Sequence, residues 1–552
     1  MKVRDYFKTG EAWVWLNAGT VAIALIMVVG IIGLIAVRGL GHFWPADILQ
    51  SNYTDIDGSK RVVVGELYET KVDTAQRLRD AGVNVPADQE TVTRYSVKVG
   101  NRDIGGADFQ WVFEKGMHDL SYPQDLVRLE RYEWGDFFGR LKDVKENGAV
   151  VASGPQAWEQ LQARIKRSNG LIDTIHGIER SDVNHVNYQL ENLRLHERKL
   201  ELQGKLDDAA KADLAKQHGA LDQQYDVIKH KLDGLNQELA RDTATFTTAD
   251  GTEKEMPVSK IVSAIQPNAM GVFAKTGHYF SNVWEFLSGQ PRESNTEGGV
   301  FPAIFGTVLM VMLMTVIVTP LGVIAAVYLR EYASQGLLTQ IVRIAVNNLA
   351  GVPSIVYGVF GLGFFVYFVG GSLDKIFYPE SAPAPVFGTP GLMWSAITLA
   401  LLTLPVVIVA TEEGLSRIPR SLKEGSLALG ATKAETLWRV VLPMATPSIM
   451  TGVILAIARA AGEVAPLMLV GVVKLAPALP LDGNAPFLHL ERKFMHLGFH
   501  IYDVGFQSPN VEAARPLVYA TALLLVLVVA TLNLSAVGLR NRLREKYKAL
   551  ES

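Results

Sequence analysis

Six segments of this chain are long, apolar and almost free of charged residues. About 20 such residues are enough to cross a hydrocarbon core of roughly 30 Å as a helix. A helix also satisfies its own backbone hydrogen bonds, which lipid cannot do. The pattern therefore predicts six transmembrane helices, at residues 16–37, 298–329, 344–373, 391–411, 444–473 and 516–539.

The first apolar segment must be distinguished from a cleaved signal peptide. Its apolar run is longer than the usual signal-peptide core of about 7–15 residues. Arg38 follows it without a small-residue cleavage site. We therefore predict that this segment is an uncleaved membrane anchor.

A long polar insert separates the first two predicted spans. The expected divisions are 1–40 for the N-terminus and span one, 41–297 for the insert, 298–540 for the remaining spans, and 541–552 for a basic tail. Residues 61–68 and 93–99 alternate between apolar and polar side chains, which predicts strands. The expected fold is mainly α, a six-span membrane bundle with an inserted α+β domain.

The middle of the insert has the apolar periodicity of a helical hairpin. Apolar residues spaced alternately by four and three predict one helix with a continuous seam; they are Leu221, Tyr225, Ile228, Leu232, Leu235 and Leu239. A longer, less regular series precedes it, and residues 207–211 are the expected reversal. The pattern predicts an antiparallel hairpin at about 154–242, which is either a spacer or a docking element for a partner protein.

Basic residues near the span ends predict the orientation, because Lys and Arg concentrate on the cytoplasmic side. Lys2, Arg4 and Lys8 precede span one, and further basic residues follow spans two, four and six. The two short loops on the other face carry fewer of them. Both termini are therefore predicted to be cytoplasmic, and residues 41–297 periplasmic.

Composition excludes several classes of function. The net charge of −3 does not suggest a nucleic-acid partner, and the chain has no cysteine for disulfides, iron–sulfur clusters or thiolate zinc sites. No phosphate-binding Gly-x-x-x-x-Gly-Lys-Ser/Thr motif occurs, so an ATPase site is not expected on this chain. His489, His496 and His500 are spaced for one helix face, but an amphipathic helix is expected there rather than a metal site.

The loop after span four, at residues 412–443, carries signals for two short helices. Ser421 with Glu424 predicts a capping box, and Thr432 with Glu435 predicts a second one. Gly430 suits the left-handed position that ends a helix, and Pro443 is expected to stop the second helix. Leu427, Leu437 and Val441 are expected to form an apolar face. The loop is either an ordinary amphipathic connection or a rigid element that transmits force from a docked partner.

Two charged residues, Arg459 and Glu463, interrupt predicted span five. A charge inside a bilayer costs several kcal/mol, with estimates from about 2.5 kcal/mol upward, so it usually faces a bundle interior or a water-filled path. Four residues apart, the two side chains are expected to lie on one helix face within pairing distance. They are either a structural ion pair or part of an anion pathway.

The spacing Glu424–Gly430–Pro443 resembles the coupling motif of bacterial ABC importer permeases. Further similarity lies at 299–307, 348–358 and 458–466, and it indicates phosphate-specific permeases of the PstA type over about 299–540. The family often has Ala-Ala after the glutamate, where this chain has Gly425 and Ser426. The long insert is similar to that of longer family members.

The resemblance implies a multi-pass inner-membrane subunit of an ATP-driven phosphate importer. It implies that Ser421, Glu424, Gly430, Thr432, Glu435 and Pro443 belong to the loop that docks on a separate ATPase. The implied partners are a second PstC-type permease, a PstB-type ATPase pair that holds ATP and Mg²⁺, and a periplasmic PstS-type phosphate-binding protein. No cofactor is expected on this chain itself.

Two other classes of protein are alternatives to a permease. One is a membrane-anchored scaffold or phosphate-signalling protein whose hairpin binds partners, but an anchor needs neither the charged pair nor the capped loop. The other is an ion-coupled secondary transporter, which usually shows inverted repeats and interrupted helices in both halves. Residue patterns alone do not separate phosphate from sulfate or molybdate.

Overall fold

In a computed structural model of the chain, residues 11–55, 57–80, 90–292, 295–508 and 511–548 are described. Lys2, Arg4 and Lys8, on which part of the orientation depends, lie outside these residues. The chain divides into two compact units. We call Met1–His42, Val300–Asp482 and Pro486–Ser552 the transmembrane unit, and Phe43–Gly299 with Gly483–Ala485 the insert unit.

Two antiparallel sheets belong to the insert unit. The strands are β1 (Ile48–Thr54), β2 (Lys60–Thr74), β3 (Thr91–Lys98), β4 (Phe109–Phe113), β5 (Met117–Ser121), β6 (Leu126–Arg131), β7 (Phe137–Glu146), β8 (Ala149–Ser153), β9 (Asp242–Thr247), β10 (Glu253–Pro257), β11 (Ile261–Ile265), β12 (Pro291–Arg292) and β13 (Glu297–Gly298). One sheet has the order β4-β3-β2-β1-β5, and the other has β10-β9-β7-β6-β11 with β8 beside β7. The two predicted strands are confirmed as β2 and β3.

Alternation along the strands builds the cores of these sheets. In β1, Leu49 and Tyr53 are buried together with Val63 of β2, and Ser51 pairs with Val63 across the ladder. A helix that starts at Pro155 covers the second sheet. Leu161 of this helix lies in one buried cluster with Val127 and Phe137 of the strands. Alternate residues of β1 and β2 point to the other face of these strands, where Ile48 and Val64 are buried together with Leu126 and Phe138 of the second sheet.

The helices, in chain order, begin with α1 (Glu11–Gly41), α2 (Ala75–Asp80), α3 (Arg102–Gly105), α4 (Pro155–Ile178), α5 (Asn184–Leu202), α6 (Asp208–Leu239) and α7 (Val272–Ser288). A π-helical turn at Glu179–Val183 joins α4 to α5, and α6 returns beside them, which confirms the predicted hairpin. The reversal lies at 203–207, just before the predicted 207–211. The reason is that Asp207 caps α6, its Oδ1 accepting a hydrogen bond from the Ala210 N–H at 2.8 Å.

The transmembrane unit continues with α8 (Phe301–Val327), α9 (Leu337–Leu349), α10 (Ser354–Phe360), α11 (Gly371–Phe377), α12 (Leu392–Ser416), α13 (Arg420–Ala428), α14 (Lys433–Thr436), α15 (Leu442–Gly462), α16 (Ala465–Val470), α17 (Leu497–Tyr502) and α18 (Val511–Lys548). Some of these helices are joined by π-helical turns. Within the described residues, six helical stretches are long and apolar enough to cross a membrane; they are Trp13–Gly41, Phe301–Tyr332, Ser354–Phe377, Leu392–Ser416, Lys433–Gly462 and Val511–Glu545.

Spans three and five differ most from the predicted limits. Span three was expected to start at 344, but α9 is a separate helix and the span begins at Ser354. Pro353 explains the division, because proline has no N–H to donate to a helix and disfavours helical geometry at the residue before it. Span five was expected at 444–473, but it begins at Lys433 and ends at Gly462.

Spans two, four and five form the core of the transmembrane unit. Met310 and Met314 of span two, Leu399 and Val407 of span four, and Ala460 of span five are fully buried. Gly322 lies against Val407 so closely that a Cβ there would be 2.6 Å from a methyl group. Small residues allow this approach, which is the usual basis of helix packing in membranes.

Candidate functional site

The helix of span five ends at a break between Gly462 and Ala465. Glu463 is extended, with φ −78° and ψ 133°, and a new helix begins after Val464. Pro466 accounts for the break, because its nitrogen has no hydrogen to donate to Gly462 and its ring would clash with that carbonyl. The chain therefore leaves the helix at the glutamate that sequence analysis singled out.

Arg459 and Glu463 form an ion pair across this helix end. The Arg459 Nε and Glu463 Oε1 atoms are 3.7 Å apart, and the two side chains are 30% and 19% exposed. The predicted pairing is confirmed, but Glu463 lies just beyond the helix rather than on its face. In the described part of the chain, no hydrogen bond to the Arg459 guanidinium is found.

Arg343 of α9 offers a contrast within the same unit. Its guanidinium donates to Glu412 Oε1 at 3.2 Å, to Gln335 Oε1 at 3.0 Å and to the Leu329 carbonyl at 3.1 Å. Such a network fixes an arginine as a structural element, since charge-assisted hydrogen bonds are the strong ones. Among the described residues, Arg459 has by contrast one long ion pair, with Glu463.

The segments 299–307, 348–358 and 458–466, which carry the family resemblance in the sequence, come together around the break. Gly358 packs on Pro466, where a Cβ would be 2.7 Å from the Pro466 Cα. In the first segment, the Thr307 hydroxyl accepts a hydrogen bond from the Leu497 N–H at 2.9 Å. Gly498, beside Leu497, lies against Val464. Long-range packing thus brings segments that are distant in sequence against the helix break that follows the charged pair.

The histidines of the loop between spans five and six do not form the expected amphipathic helix. α17 is short, His496 caps its start, and His489 precedes it in irregular structure; all three histidines are buried. His489 lies 3.0 Å from both Asp482 and Glu491. Burial lowers the pKa of both His496 and His500 to about 4, so these side chains are neutral packing elements. Among the described residues no cluster could hold a metal ion.

The loop after span four turns sharply at Gly430. The Gly430 φ is +87°, in the left-handed region that glycine adopts without steric strain because it has no Cβ. The Gly430 N–H donates to the Leu427 carbonyl at 3.0 Å, and the Ala431 N–H donates to the Ser426 carbonyl at 3.3 Å. This pair of bonds is a Schellman motif and confirms the predicted helix end.

The capping of the two loop helices differs from the prediction at one end. The Thr432–Glu435 capping box is confirmed, with the Thr432 N–H donating to Glu435 Oε2 at 2.9 Å. The Ser421–Glu424 box is wrong: α13 begins at Arg420, Pro419 holds the cap position, and no side chain caps it. Ser421 therefore lies inside the first turn, and Glu424 is exposed.

Pro443 does not stop the second loop helix, as had been expected. The helix runs without interruption from Lys433 to Gly462. A π-helical turn at Leu437–Val441 precedes the proline and closes with the Leu442 N–H donating to the Leu437 carbonyl. The wider turn accommodates Pro443, so the loop helix and span five form one continuous element that ends at the charged pair.

Polar and apolar contacts hold this loop on the ends of spans two and four. The Lys423 ammonium pairs with Glu331, and Lys433 donates to the Glu331 carbonyl at 2.5 Å. The Ser426 and Thr436 hydroxyls, 2.9 Å apart, join the two loop helices. Leu437 and Val441 are buried in a cluster with residues of both spans, whereas Leu427 is exposed, which corrects its predicted place on the apolar face.

The outer surface of the loop carries large exposed apolar side chains. Leu429 is 90% exposed and Trp438 is 74% exposed. Sequence analysis missed both, together with the contacts of Lys423 and Lys433. A tryptophan in a polar loop was an available signal for the exposed apolar surface. The pairing of Lys423 with Glu331, however, joins residues about 90 positions apart and leaves no local pattern in the sequence.

Comparison with known proteins places this architecture in a family. Residues 318–548 match the family described as binding-protein-dependent transport system inner membrane component. The phosphate transport system permease protein PstA 1 of Mycobacterium tuberculosis is 38% identical over 44% of this chain and 71% of its own length. PstA of Yersinia pestis is 34% identical over 50% of this chain and 87% of its own. The chain belongs to the PstA family of ABC importer permeases.

The PstA family match also covers more distant relatives. A probable PstA of Methanocaldococcus jannaschii is 30% identical over 43% of this chain and 74% of its own length. Among solved structures, the MetNI methionine ABC transporter in an inward-facing conformation aligns with 47% of this chain and 97% of its own, at 20% identity and a TM-score of 0.33. As a PstA-family permease, the chain is a multi-pass membrane protein.

Proposed function

We propose that this chain is the permease subunit of an ATP-driven phosphate importer and forms half of its translocation pathway. Its relatives carry the name of phosphate transport system permeases, which supports this substrate. The observation that carries the proposal within the molecule is the arrangement of Arg459. It is a partly exposed cation beside a helix break, held by one ion pair of 3.7 Å.

The chemistry of this cation suits a phosphate ion. The planar guanidinium presents a fork of donors that matches two phosphate oxygens. Glu463 balances the charge of Arg459 when the pathway is empty, and because both side chains are partly exposed, separating the pair leaves neither charge fully buried. When phosphate arrives, the long ion pair is exchanged for shorter charge-assisted hydrogen bonds.

Coupling to ATP hydrolysis would act through the loop 421–443. Its internal hydrogen bonds and its contacts with Glu331 make it rigid, and its exposed Leu429 and Trp438 suit a cleft on a partner. The continuous helix from Lys433 to Gly462 links this loop to the charged pair. A membrane anchor or scaffold would need neither feature.

The proposed assembly contains a PstC-type permease, a PstB-type ATPase pair that binds ATP and Mg²⁺, and a PstS-type phosphate-binding protein. The permease chain contributes no ATPase site of its own. In this arrangement both termini and the loop 421–443 face the cytoplasm, and residues 41–297 are periplasmic in the cell inner membrane.

Uptake by cells that lack their own phosphate permease tests this function. Cells that carry the wild-type chain and its partners are expected to accumulate labelled phosphate, and excess sulfate or molybdate should not compete. Glu424→Arg should reduce uptake at least tenfold, because it reverses an exposed charge on the docking loop. Glu238→Arg, at an exposed position of the hairpin, is the matched control and should leave uptake unchanged.

Three results would contradict the proposal. Competition by sulfate as strong as by phosphate would reject the substrate. Normal uptake by the Glu424→Arg variant would reject the coupling role of the loop. Failure of the wild-type chain to restore uptake, with all partners present in the membrane, would reject the permease function.

A further inference from the structure

Helix α7 of the insert unit has an unusual distribution of apolar side chains. Phe273, Phe280 and Trp284 are 95%, 65% and 70% exposed. Their spacing of seven and four residues places them on one face of the helix. The other exposed residues between Phe273 and Trp284 are small and uncharged; they are Ala274, Gly277 and Ser281. The face of α7 that points away from the insert unit is therefore apolar and aromatic.

The polar side chains of α7 point the other way, into the insert unit. The Lys275 ammonium pairs with Asp47, and the Asn282 amide donates to the Phe43 carbonyl at 3.3 Å. Glu285 accepts a hydrogen bond from Arg292 at 2.6 Å. A helix on a water-soluble surface would turn its charged residues outward. Hairpin helix α6 does this, since its exposed residues are mainly charged or polar.

Chain connectivity keeps α7 close to two membrane-spanning helices. Phe43 packs on Phe286 at 5.2 Å and on Tyr279 at 6.4 Å between ring centroids, and Phe43 lies two residues beyond the end of span one at Gly41. Just beyond the same C-terminal end of α7, the Gly299 N–H donates to the Gln290 carbonyl at 2.9 Å. Span two begins at Phe301, two residues later.

Short connections limit how far α7 lies from the membrane. A residue extends the chain by at most about 3.6 Å, so two residues reach roughly 7 Å. The C-terminal end of α7, which contacts both connections, is thus attached within about that distance of two span ends. Aromatic side chains are enriched at this depth of a membrane, where one side of a helix meets lipid and the other meets water.

We propose that α7 is a membrane-surface helix that inserts Phe273, Phe280 and Trp284 into the headgroup region of the bilayer. Trp44, 42% exposed and in ring contact with Tyr279 of α7, extends the same aromatic surface. The partner of this face is the lipid surface. The insert unit is then fixed to the bilayer at a third place besides spans one and two.

Spin labels on single cysteines test this proposal directly, because the natural chain contains no cysteine. The full chain would carry Phe280→Cys or Trp284→Cys and would be reconstituted in vesicles of phosphatidylethanolamine and phosphatidylglycerol. Collisions of each label would be measured with oxygen, which partitions into lipid, and with a water-soluble nickel chelate. Ile26→Cys on span one, 70% exposed, is the lipid control, and Val227→Cys on the hairpin, 69% exposed, is the water control.

Labels at positions 280 and 284 are expected to collide more with oxygen than with nickel, as at position 26, whereas position 227 shows the reverse order. Collision ratios at 280 and 284 equal to those at 227 would overturn the proposal. Shielding of both labels from both reagents would also overturn it, because it would mean that protein rather than lipid covers this face. All four positions are exposed, so the substitutions remove no buried contact.

Discussion

The insert unit and the transmembrane unit use charged side chains in opposite ways. In the insert unit, Asp136 is buried between Lys98 and Arg128, and Arg128 also holds Glu66 at 3.1 Å. Although burial opposes the charge, Arg128 and Lys98 keep the pKa of the Asp136 carboxyl well below its usual range. In span five, by contrast, Arg459 has a single ion pair, of 3.7 Å, within the part of the chain that the structure describes.

Under the proposed function, this difference separates charges that stabilise a fold from charges that remain available for a ligand. A buried charge with several partners is costly to disturb, since removal of one partner leaves the others uncompensated. A charge with one distant partner adds little stability, but it stays free to bind an incoming ion. The predictions below test whether the two units differ in this way.

The largest effect on stability is expected from Asp136→Asn in the insert unit. The substitution leaves Lys98 and Arg128 without their shared carboxylate, which should cost about 3–5 kcal/mol of unfolding free energy. Thermal unfolding of the purified protein measures it. Asp125→Asn is the matched control, because Asp125 is 61% exposed and pairs with Arg140 at the surface. The control should change stability by less than about 1 kcal/mol, and equal effects of the two variants would contradict the network.

Substitution of Glu297, whose carboxyl lies within electrostatic reach of Asp136, should have a smaller effect on stability, and this effect should depend on pH. Burial and the neighbouring Asp136 raise the pKa of Glu297 to about 7. Its folded-state pKa lies above its unfolded value, so its favourable contribution is present at low pH and is lost as pH rises through about 7. Glu297→Gln should therefore stabilise the protein by about 2 kcal/mol at pH 8 and have little effect at pH 5.

Thermal unfolding at the two pH values measures this effect. An equal shift of the melting temperature at pH 5 and pH 8 would show that Glu297 does not titrate between them. The sign of the change is the important result, because an ordinary surface glutamate would show no gain at either pH.

The smallest effect is expected in the loop of the transmembrane unit. Gly430→Ala places a side chain in the left-handed region and should cost about 1 kcal/mol, although no atom lies within 4 Å of the added Cβ. Gly425→Ala, inside α13 with equal space, should stabilise the loop by about 0.5–1 kcal/mol. Unfolding measurements on both variants test this pair. Equal effects would show that backbone conformation does not set the turn.

Local sequence signals predicted much of this molecule. The apolar segments, the seam from Leu221 to Leu239, the turn at Gly430 and the Thr432–Glu435 box all depend on neighbouring residues. The errors arose where one local rule competed with another. Pro419 displaced Ser421 from the cap, and a π-helical turn let the helix continue through Pro443.

Features that depend on distant residues could not be predicted in this way. The pairing of Lys423 with Glu331, the three hydrogen bonds of Arg343 and the contact of Gly358 with Pro466 follow from packing between spans. The same is true of the histidines, whose spacing matched a helix face but whose burial came from the surrounding loop. Arg459 and Glu463 were predicted as a pair, but their distance and their few partners were not.

The initial rate of labelled phosphate uptake by Arg459→Gln, in vesicles that contain the whole transporter, tests the central claim most directly. Arg542→Gln, the same substitution at an exposed position of the C-terminal helix, is the control. The account predicts that Arg459→Gln loses at least 99% of uptake while its unfolding free energy stays within about 1 kcal/mol of the wild type, and that Arg542→Gln transports normally. Uptake by Arg459→Gln at the wild-type rate would contradict the account, as would a loss of stability as large as that of Asp136→Asn.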